Sequence, residues 1–194
     1  MAGKTTDEIA AQFPVAYVKY YAGLERLINI NIKPRKHKPT VVWLYGPSGV
    51  GKTRSIYGSM SSTNDFWIAY GDSRFFNGYK GQGSVLFDDF RGSSRKYSFF
   101  LQLLDRYPIN VEVKGSYVKW VPTHIYITSC YNPSECYKSV GIRENIIQLL
   151  RRIDTCIHMY KKKDVVHYPA GPDYTCIDVH WGHAGDVWST FAEA

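Results

Sequence analysis

The chain has 194 residues, of which 44% are hydrophobic and 15% aromatic, so it can bury the core of one α/β domain and is not disordered as a whole. No apolar stretch is long enough to span a bilayer and the first residues lack a secretory signal, so we expect an intracellular protein outside membranes. The 24 Lys and Arg against 17 Asp and Glu give a net charge of +7, which favours nucleic acid as a partner, and four irregularly spaced cysteines argue against a zinc ribbon or a disulfide framework.

The pattern of residues 1–33 predicts helices. Thr6 precedes two acids, as at a helix start, and Pro14 suits the first turn of a second helix. Apolar residues then recur at helical period in a stripe that we interpret as a packing face: Tyr17, Tyr21, Leu24 and Ile28. Residues 34–39, basic and with two prolines, are predicted to be a linker whose charges are either solvated or close to a nucleic acid.

A phosphate-binding loop follows directly after the apolar run 41–45, which predicts a buried strand. The loop residues are Gly46, Pro47, Ser48, Gly49, Val50, Gly51, Lys52 and Thr53. The glycines let several backbone N–H groups point at a polyphosphate, and a helix beginning after the loop favours negative charge. Lys52 is predicted to reach the β- and γ-phosphates and the Thr53 hydroxyl to bind Mg²⁺. The preceding strand makes a plain Gly/Ser turn with a surface lysine a poor alternative.

Two acids end a later strand. Residues 66–70 form a candidate short strand, and the apolar run 85–87 is followed by Asp88 and Asp89. At the carboxyl edge of a sheet such acids lie beside the triphosphate, so we assign Asp88 to the metal and Asp89 to the attacking water. An acidic β-turn is the alternative.

A hairpin carries the best candidate for nucleic-acid binding. After a predicted helix at 99–104, residues 109–121 alternate apolar and polar side chains around a Gly-Ser turn. Lys114 lies beside the tip and can grip a backbone phosphate without reading sequence, with Gly115 and Ser116 as the adjoining DNA-binding residues. A solvated turn lysine is the alternative.

A strand at 125–128 ends at Thr128-Ser129, close to Cys130 and Asn132, and a polar side chain here could touch the γ-phosphate or the attacking water. Asn132-Pro133 is predicted to be a turn. A predicted helix at 142–153 carries Arg151-Arg152 at its end, and such an arginine could reach the nucleotide of a neighbouring subunit or simply complement the helix dipole. The last forty residues predict short strands and loops, and His180 and His183 are taken as surface or core histidines.

Strands that alternate with helices around a phosphate loop predict an α/β fold with a mostly parallel sheet. The order of motifs resembles the superfamily 3 helicases of small DNA viruses, and within them the helicase domain of circovirus-type replication-associated proteins. The likeness covers Phe13 to about Tyr160, and beyond the motifs it is carried by five segments: 78–81, 85–90, 105–108, 111–115 and 150–153.

The resemblance implies a P-loop AAA+-like core at residues 40–165. A helical oligomerisation segment (1–33) and the linker (34–39) would precede it, and a tail of uncertain structure (166–194) would follow. It also implies ATP and Mg²⁺ as cofactors, a homo-hexameric ring, and 3′→5′ movement on single-stranded DNA during rolling-circle replication of a viral genome in the host nucleus. Because no nicking motif precedes residue 40, we expect this chain not to nick DNA and its nicking domain to be a partner absent from this chain.

The sequence departs from the family pattern at one place. Circovirus sequences place Asn directly after Thr-Ser, whereas this chain has Cys130 there. We assign the catalytic sensor role to Asn132, with Cys130 as the alternative. The family resemblance also implies that Arg152 is the catalytic arginine that acts in trans, with Arg151 as the alternative.

Three other functions stay open. One is an RNA-virus-type superfamily 3 ATPase acting on RNA or membranes, although no amphipathic membrane helix or zinc-cysteine cluster is evident. Another is a nucleotide-gated DNA-binding ring without unwinding activity. The last is a non-motor P-loop enzyme such as a small-molecule kinase, for which the sequence offers no arginine-rich lid.

Overall fold

A computed structural model describes residues 6–59, 66–69, 73–138, 145–160 and 176–180. Its helices are α1 (Thr6–Gln12), α2 (Pro14–Asn31), α3 (Lys52–Ser59), α4 (Tyr97–Leu103), α5 (Pro133–Lys138) and α6 (Ile147–Leu150). Its strands are β1 (Thr40–Tyr45), β2 (Phe66–Ala69), β3 (Ser84–Phe87), β4 (Asn110–Val113), β5 (Ser116–Lys119), β6 (His124–Ser129), β7 (Thr155–Tyr160) and β8 (Cys176–His180).

The central sheet has six strands in the order β2-β3-β6-β1-β7-β8, and every neighbouring pair is parallel. Strand β6 lies between β1 and β3, so the carboxyl ends of these three strands meet at one edge of the sheet. Strands β4 and β5 form a separate antiparallel hairpin. The predicted α/β fold with a mostly parallel sheet is therefore confirmed.

The inner strands β1, β3 and β6 are buried on both faces, as expected for parallel strands. Alternate residues of β1 point to opposite faces, so Val41 and Trp43 join one apolar cluster while Val42 and Leu44 join the other. Aromatic rings dominate the larger cluster, where Trp120 packs against Trp67 and Phe76. This packing fixes the sheet edge on which the candidate site lies.

Helix α2 contrasts with this core, because none of its residues is buried. Pro14 occupies its first turn as predicted, and the stripe of Tyr17, Leu24 and Ile28 is half-buried whereas Tyr21 is exposed. The end of α2 is attached to the hairpin through Lys119, whose Nζ donates to the carbonyl oxygens of Asn29, Ile30 and Ile32 at 3.2, 2.9 and 2.7 Å.

The basic segment 34–39 differs from the expectation. Arg35 is only 2% exposed, and its guanidinium donates to the carbonyl oxygens of Gln102, Leu103 and Tyr107 at 2.6, 2.7 and 2.8 Å. These carbonyls lie at and beyond the end of α4, where backbone acceptors lack helical partners. Burial lowers the pKa of Arg35 to about 10. The expectation that the charges of this segment are solvated or close to a nucleic acid is therefore wrong for Arg35.

Most predicted elements are confirmed with small shifts at their ends, among them the strands near 66–70, 85–87 and 125–128, the helix at 99–104 and the hairpin. The predicted turn at Asn132-Pro133 is wrong, because Pro133 begins α5. The predicted helix at 142–153 ends earlier, at Leu150, and residues 142–144 lie outside the described residues. Within the described chain, no helix combines the length and apolarity needed to cross a bilayer.

Candidate nucleotide site and nucleic-acid hairpin

The loop after β1 has the backbone shape that its glycines predict. Gly46, Gly49 and Gly51 have φ values of 142°, 79° and 91°, in the region that glycine adopts without strain. At Gly46 a Cβ atom would also lie 1.9 Å from the carbonyl oxygen of Met159 in β7. A side chain at this position is therefore excluded both by conformation and by space.

Lys52 begins α3 and its side chain folds back over the loop. Its Nζ donates to the carbonyl oxygens of Gly46 and Pro47 at 2.8 and 2.9 Å. Burial lowers the pKa of Lys52, against the raising effects of Cys130, Asp89 and Asp88. The ammonium group is thus held by two neutral acceptors, which a phosphate oxygen can replace.

Asp88 lies directly after β3 and is hydrogen-bonded to both the phosphate loop and β6. Its Oδ1 accepts hydrogen bonds from Thr53 Oγ1 at 2.6 Å and from Thr128 Oγ1 at 2.7 Å. The structure therefore brings together the two residues predicted to bind the metal, Thr53 and Asp88. A hydroxyl and a carboxylate oxygen are the ligand types that Mg²⁺ prefers, so this pair fits the ion.

Asp89 has an unusual backbone. Its φ of 47° makes it the one non-glycine residue with positive φ in the described parts of the chain, a conformation that Asp tolerates better than most residues. Its N–H donates to Thr128 Oγ1 at 2.9 Å, which fixes this turn. The Asp89 side chain is 65% exposed and forms an ion pair with Arg91. The carboxylate is thus turned out of the core, at the same sheet edge as Asp88.

The structure separates the two candidates for the sensor position. Asn132 caps α5, since its Oδ1 accepts the N–H of Glu135 at 2.9 Å. Cys130 instead approaches the acids, with its Sγ 4.0 Å from Asp89 Oδ1. Neither contact tests the sensor role, so Asn132, with Cys130 as the alternative, stays a prediction.

The two arginines after α6 are held differently. Arg152 is mostly buried and pairs with Asp105, whose Oδ2 lies 2.6 Å from its Nη2. Arg151 is exposed. Arg152 would have to leave Asp105 to reach another subunit, so the structure does not decide between them and the trans role stays a prediction.

The hairpin presents its tip to solvent as predicted. Lys114, Gly115 and Ser116 are all exposed, and Gly115 has a φ of 78° at the turn. The N–H of Lys114 donates to Asn77 Oδ1 at 2.9 Å, which fixes the backbone while the lysine side chain stays exposed. The base of the hairpin packs on the core through Val111, so the tip projects from a rigid support.

Two further residues lie at this edge: Thr128, which the sequence marks only as a polar strand end, and Arg91, which it does not mark at all. Thr128 holds Asp88 and the Asp89 backbone through one hydroxyl, and Arg91 pairs with Asp89. The position of Thr128 at the end of an apolar strand was a usable signal, because carboxyl ends of neighbouring parallel strands meet. Arg91 carries no motif signal. In the described residues no group of three or more His, Cys, Asp or Glu could hold a metal ion, and His183 lies outside them.

The fold and the site together define a P-loop core of the AAA+-like kind: the loop follows β1, the acid pair follows β3, and β6 lies between them. A family model described as RNA helicase matches residues 42–131, which include all three of these parts.

Similarity to curated relatives identifies the family more narrowly. The replication-associated protein of Canary circovirus is 41% identical over 143 residues, covering 70% of this chain and 48% of that protein. The corresponding proteins of Porcine circovirus 1 and Beak and feather disease virus are 34% and 36% identical, covering 76% and 71% of this chain and 47% and 46% of theirs. This chain thus spans about half the length of the curated relatives it matches. It carries the superfamily 3 helicase domain of circovirus-type replication-associated proteins, as the motif order predicted.

Proposed function

We propose that this chain is an ATP-dependent motor that moves on single-stranded DNA during rolling-circle replication of a viral genome. The observation that carries the proposal is the meeting of Thr53, Asp88 and Thr128 within hydrogen-bond distance at the edge that also holds the phosphate loop. A binding module without hydrolysis would not need an acid pair there. The replication role rests on the printed names of the relatives.

The loop residues 46–53 would bind the triphosphate of ATP. Lys52 would exchange its bonds to the Gly46 and Pro47 carbonyls for phosphate oxygens, which accept stronger, charge-assisted hydrogen bonds. Thr53 and Asp88 would hold Mg²⁺, which when bound neutralises charge on the phosphates. Asp89 would orient the attacking water and accept its proton.

DNA would be gripped at the hairpin tip. The exposed Lys114 beside Gly115 and Ser116 suits a backbone phosphate, and a contact of this kind carries no sequence preference. The net charge of +7 supports a polyanion partner. A motor that tracks along a genome needs this kind of sequence-independent contact.

Self-association is part of the proposal. Helix α2 is 18 residues long without a buried residue, and Val15, Val18 and Ile30 are 82%, 79% and 70% exposed. A second copy of the chain would cover this surface and could supply Arg152 or Arg151 to the neighbouring nucleotide. Six subunits, 3′→5′ movement and residence in the host nucleus follow from the family resemblance.

One observation favours a second candidate, a motor that acts on RNA. The matching family model is described as an RNA helicase, and a lysine that grips phosphate does not distinguish the two nucleic acids. The relatives from circoviruses favour DNA.

The test is ATP hydrolysis by the full chain alone, with single-stranded DNA, and with single-stranded RNA of the same sequence. We expect Mg²⁺-dependent hydrolysis that DNA stimulates severalfold more than RNA. A Lys52→Ala variant should lose hydrolysis, which excludes a contaminating enzyme. Equal or greater stimulation by RNA would favour the motor that acts on RNA. A hydrolysis rate that neither nucleic acid changes would contradict the proposed motor function.

A further inference from the structure

One charged side chain reaches the acid pair without belonging to any of the predicted motifs. Arg91 Nη2 lies 2.9 Å from Oδ1 and 3.1 Å from Oδ2 of Asp89, so one N–H group contacts both carboxylate oxygens. The backbone around Arg91 is fixed by a turn, in which its N–H donates to Ser94 Oγ at 3.2 Å and its carbonyl accepts the Ser94 N–H at 2.9 Å. The guanidinium also lies 5.5 Å from the centre of the Tyr131 ring. Arg91 is therefore directed at the site by its local structure.

Arg91 is connected to the phosphate loop through the acid pair. Arg91 contacts Asp89, and the neighbouring Asp88 accepts a hydrogen bond from Thr53 of the loop at 2.6 Å. The hydroxyl of Thr128 holds both the Asp88 carboxylate and the Asp89 N–H. A polyanion bound by the loop would therefore lie beside the positive charge of Arg91.

The ion pair between Arg91 and Asp89 can be exchanged. Their side chains are 39% and 65% exposed, and ion pairs in contact with water are weak. A guanidinium binds phosphate oxygens in the same forked geometry with which it binds a carboxylate. While Arg91 contacts both oxygens of Asp89, this carboxylate is a poor acceptor for the proton of a water molecule.

Resting on the function proposed above, we propose that Arg91 recognises the γ-phosphate of the nucleotide bound to its own subunit and thereby releases Asp89 to the attacking water. Arg91 is then the residue that distinguishes a nucleoside triphosphate from a diphosphate. Cys130 cannot supply this contact, because a thiol is a weak hydrogen-bond donor and its Sγ is already 4.0 Å from Asp89 Oδ1. The exchange links recognition of the last phosphate to activation of the acid.

The first test compares binding of the slowly hydrolysed analogue ATPγS with binding of ADP, both with Mg²⁺, to the full chain. We expect Arg91→Ala to weaken ATPγS binding about tenfold, the size of one lost charge-assisted hydrogen bond, and ADP binding less than about twofold. Arg91→Lys should fall between the wild type and Arg91→Ala. The control Arg74→Ala removes an exposed arginine that pairs with Glu112 at 3.2 Å, and it should change neither affinity.

Equal weakening of both nucleotides, or of neither, would overturn the role of Arg91. Failure of the wild-type chain to bind either nucleotide would overturn the proposed function and the role of Arg91 with it. The two failures are therefore distinguishable by the wild-type titration alone.

A double-mutant cycle tests the exchange itself. Asp89→Asn removes the partner that competes for Arg91, so ATPγS should bind more tightly than to the wild type. The gain should be larger with Arg91 present than in the Arg91→Ala background, where only the general repulsion between carboxylate and phosphate is relieved. An equal gain in both backgrounds would mean that Asp89 does not compete for Arg91 and would overturn the exchange.

Discussion

The carboxyl edge of the sheet and helix α2 differ in how their side chains find partners within the chain. At the sheet edge almost every polar group has a partner, and one threonine hydroxyl, that of Thr128, serves both Asp88 and the backbone of Asp89. Helix α2 keeps apolar side chains in solvent along its whole length and is attached to the hairpin mainly through Lys119. At the sheet edge the polar groups are paired within one chain, whereas the apolar side chains of helix α2 find no full cover within the described part of it.

The difference matters for function because substitutions at the sheet edge would act on the nucleotide site directly, whereas substitutions on helix α2 would act only through assembly. A site whose residues are positioned by packed strands tolerates little change, since a shift of any one strand moves all three of its polar ends. An exposed helix tolerates substitution in the monomer and responds only when copies associate. Substitutions in the two regions should therefore be separable by experiment.

The largest effect is expected at the sheet edge. Asp88→Asn removes the charge that would hold Mg²⁺ while the amide keeps the hydrogen bonds of the site, so we expect the rate of ATP hydrolysis to fall roughly a thousandfold. Phosphate release under saturating ATP measures it. Circular dichroism should remain that of the wild type, and a variant that hydrolyses ATP within about tenfold of the wild type would mean that Asp88 is not at the metal.

The next effect concerns the stability of the core. Arg35→Ala leaves three carbonyl acceptors without the guanidinium, so the free energy of unfolding should fall by about 3 kcal/mol. Urea denaturation measures it. Its neighbour Lys36 is exposed, and Lys36→Ala should change stability by less than about 0.5 kcal/mol. Equal effects of the two substitutions would contradict the structural role of Arg35.

On the helix the expected effect is on association. Val15 and Val18 are exposed one turn apart on α2, and Val18→Asp would place a charge in any interface formed there. We expect self-association, measured by sedimentation velocity, to weaken at least about tenfold, with thermal stability of the monomer nearly unchanged. Lys138→Ala, which removes an exposed lysine outside this helix, is the control. Unaltered association of Val18→Asp would remove this face from the interface.

The smallest effect is expected where helix α2 is attached to the hairpin. Lys119→Ala removes three hydrogen bonds to the end of α2, one of them exposed and two part-buried, and should lower the free energy of unfolding by about 1 kcal/mol. Hydrogen exchange should rise in α2 and stay unchanged in β1 and β6. A uniform rise over both regions would mean that the helix and the core unfold as one unit.

Much of this arrangement could be predicted from the sequence, and the reasons are local. The strands that carry the site are apolar runs ending in polar residues, and apolar and polar side chains alternate on both sides of the Gly-Ser turn of the hairpin. Hydrophobic periodicity and turn residues were therefore sufficient to predict these elements. The loop glycines likewise indicate a backbone with positive φ, which is confirmed at Gly46, Gly49 and Gly51.

The contacts that could not be predicted join residues far apart in the chain. Arg35 belongs by composition to a basic linker, yet it binds carbonyls some seventy positions later. Asn132 precedes a proline and resembles a turn residue, but the helix that begins at Pro133 uses it as a cap. In both cases tertiary packing decides which partner a polar group finds, and the local pattern contains no information about that partner.

The proposed function depends most on the stimulation of ATP hydrolysis at the sheet edge by DNA bound at the hairpin tip. The most direct measurement is the ATP hydrolysis rate of Lys114→Ala with and without single-stranded DNA, beside Lys138→Ala, which removes another exposed lysine at the end of α5. We expect Lys114→Ala to keep the rate without DNA and to lose most of the stimulation, while Lys138→Ala keeps both. Full stimulation of Lys114→Ala by DNA would contradict this role of the hairpin tip.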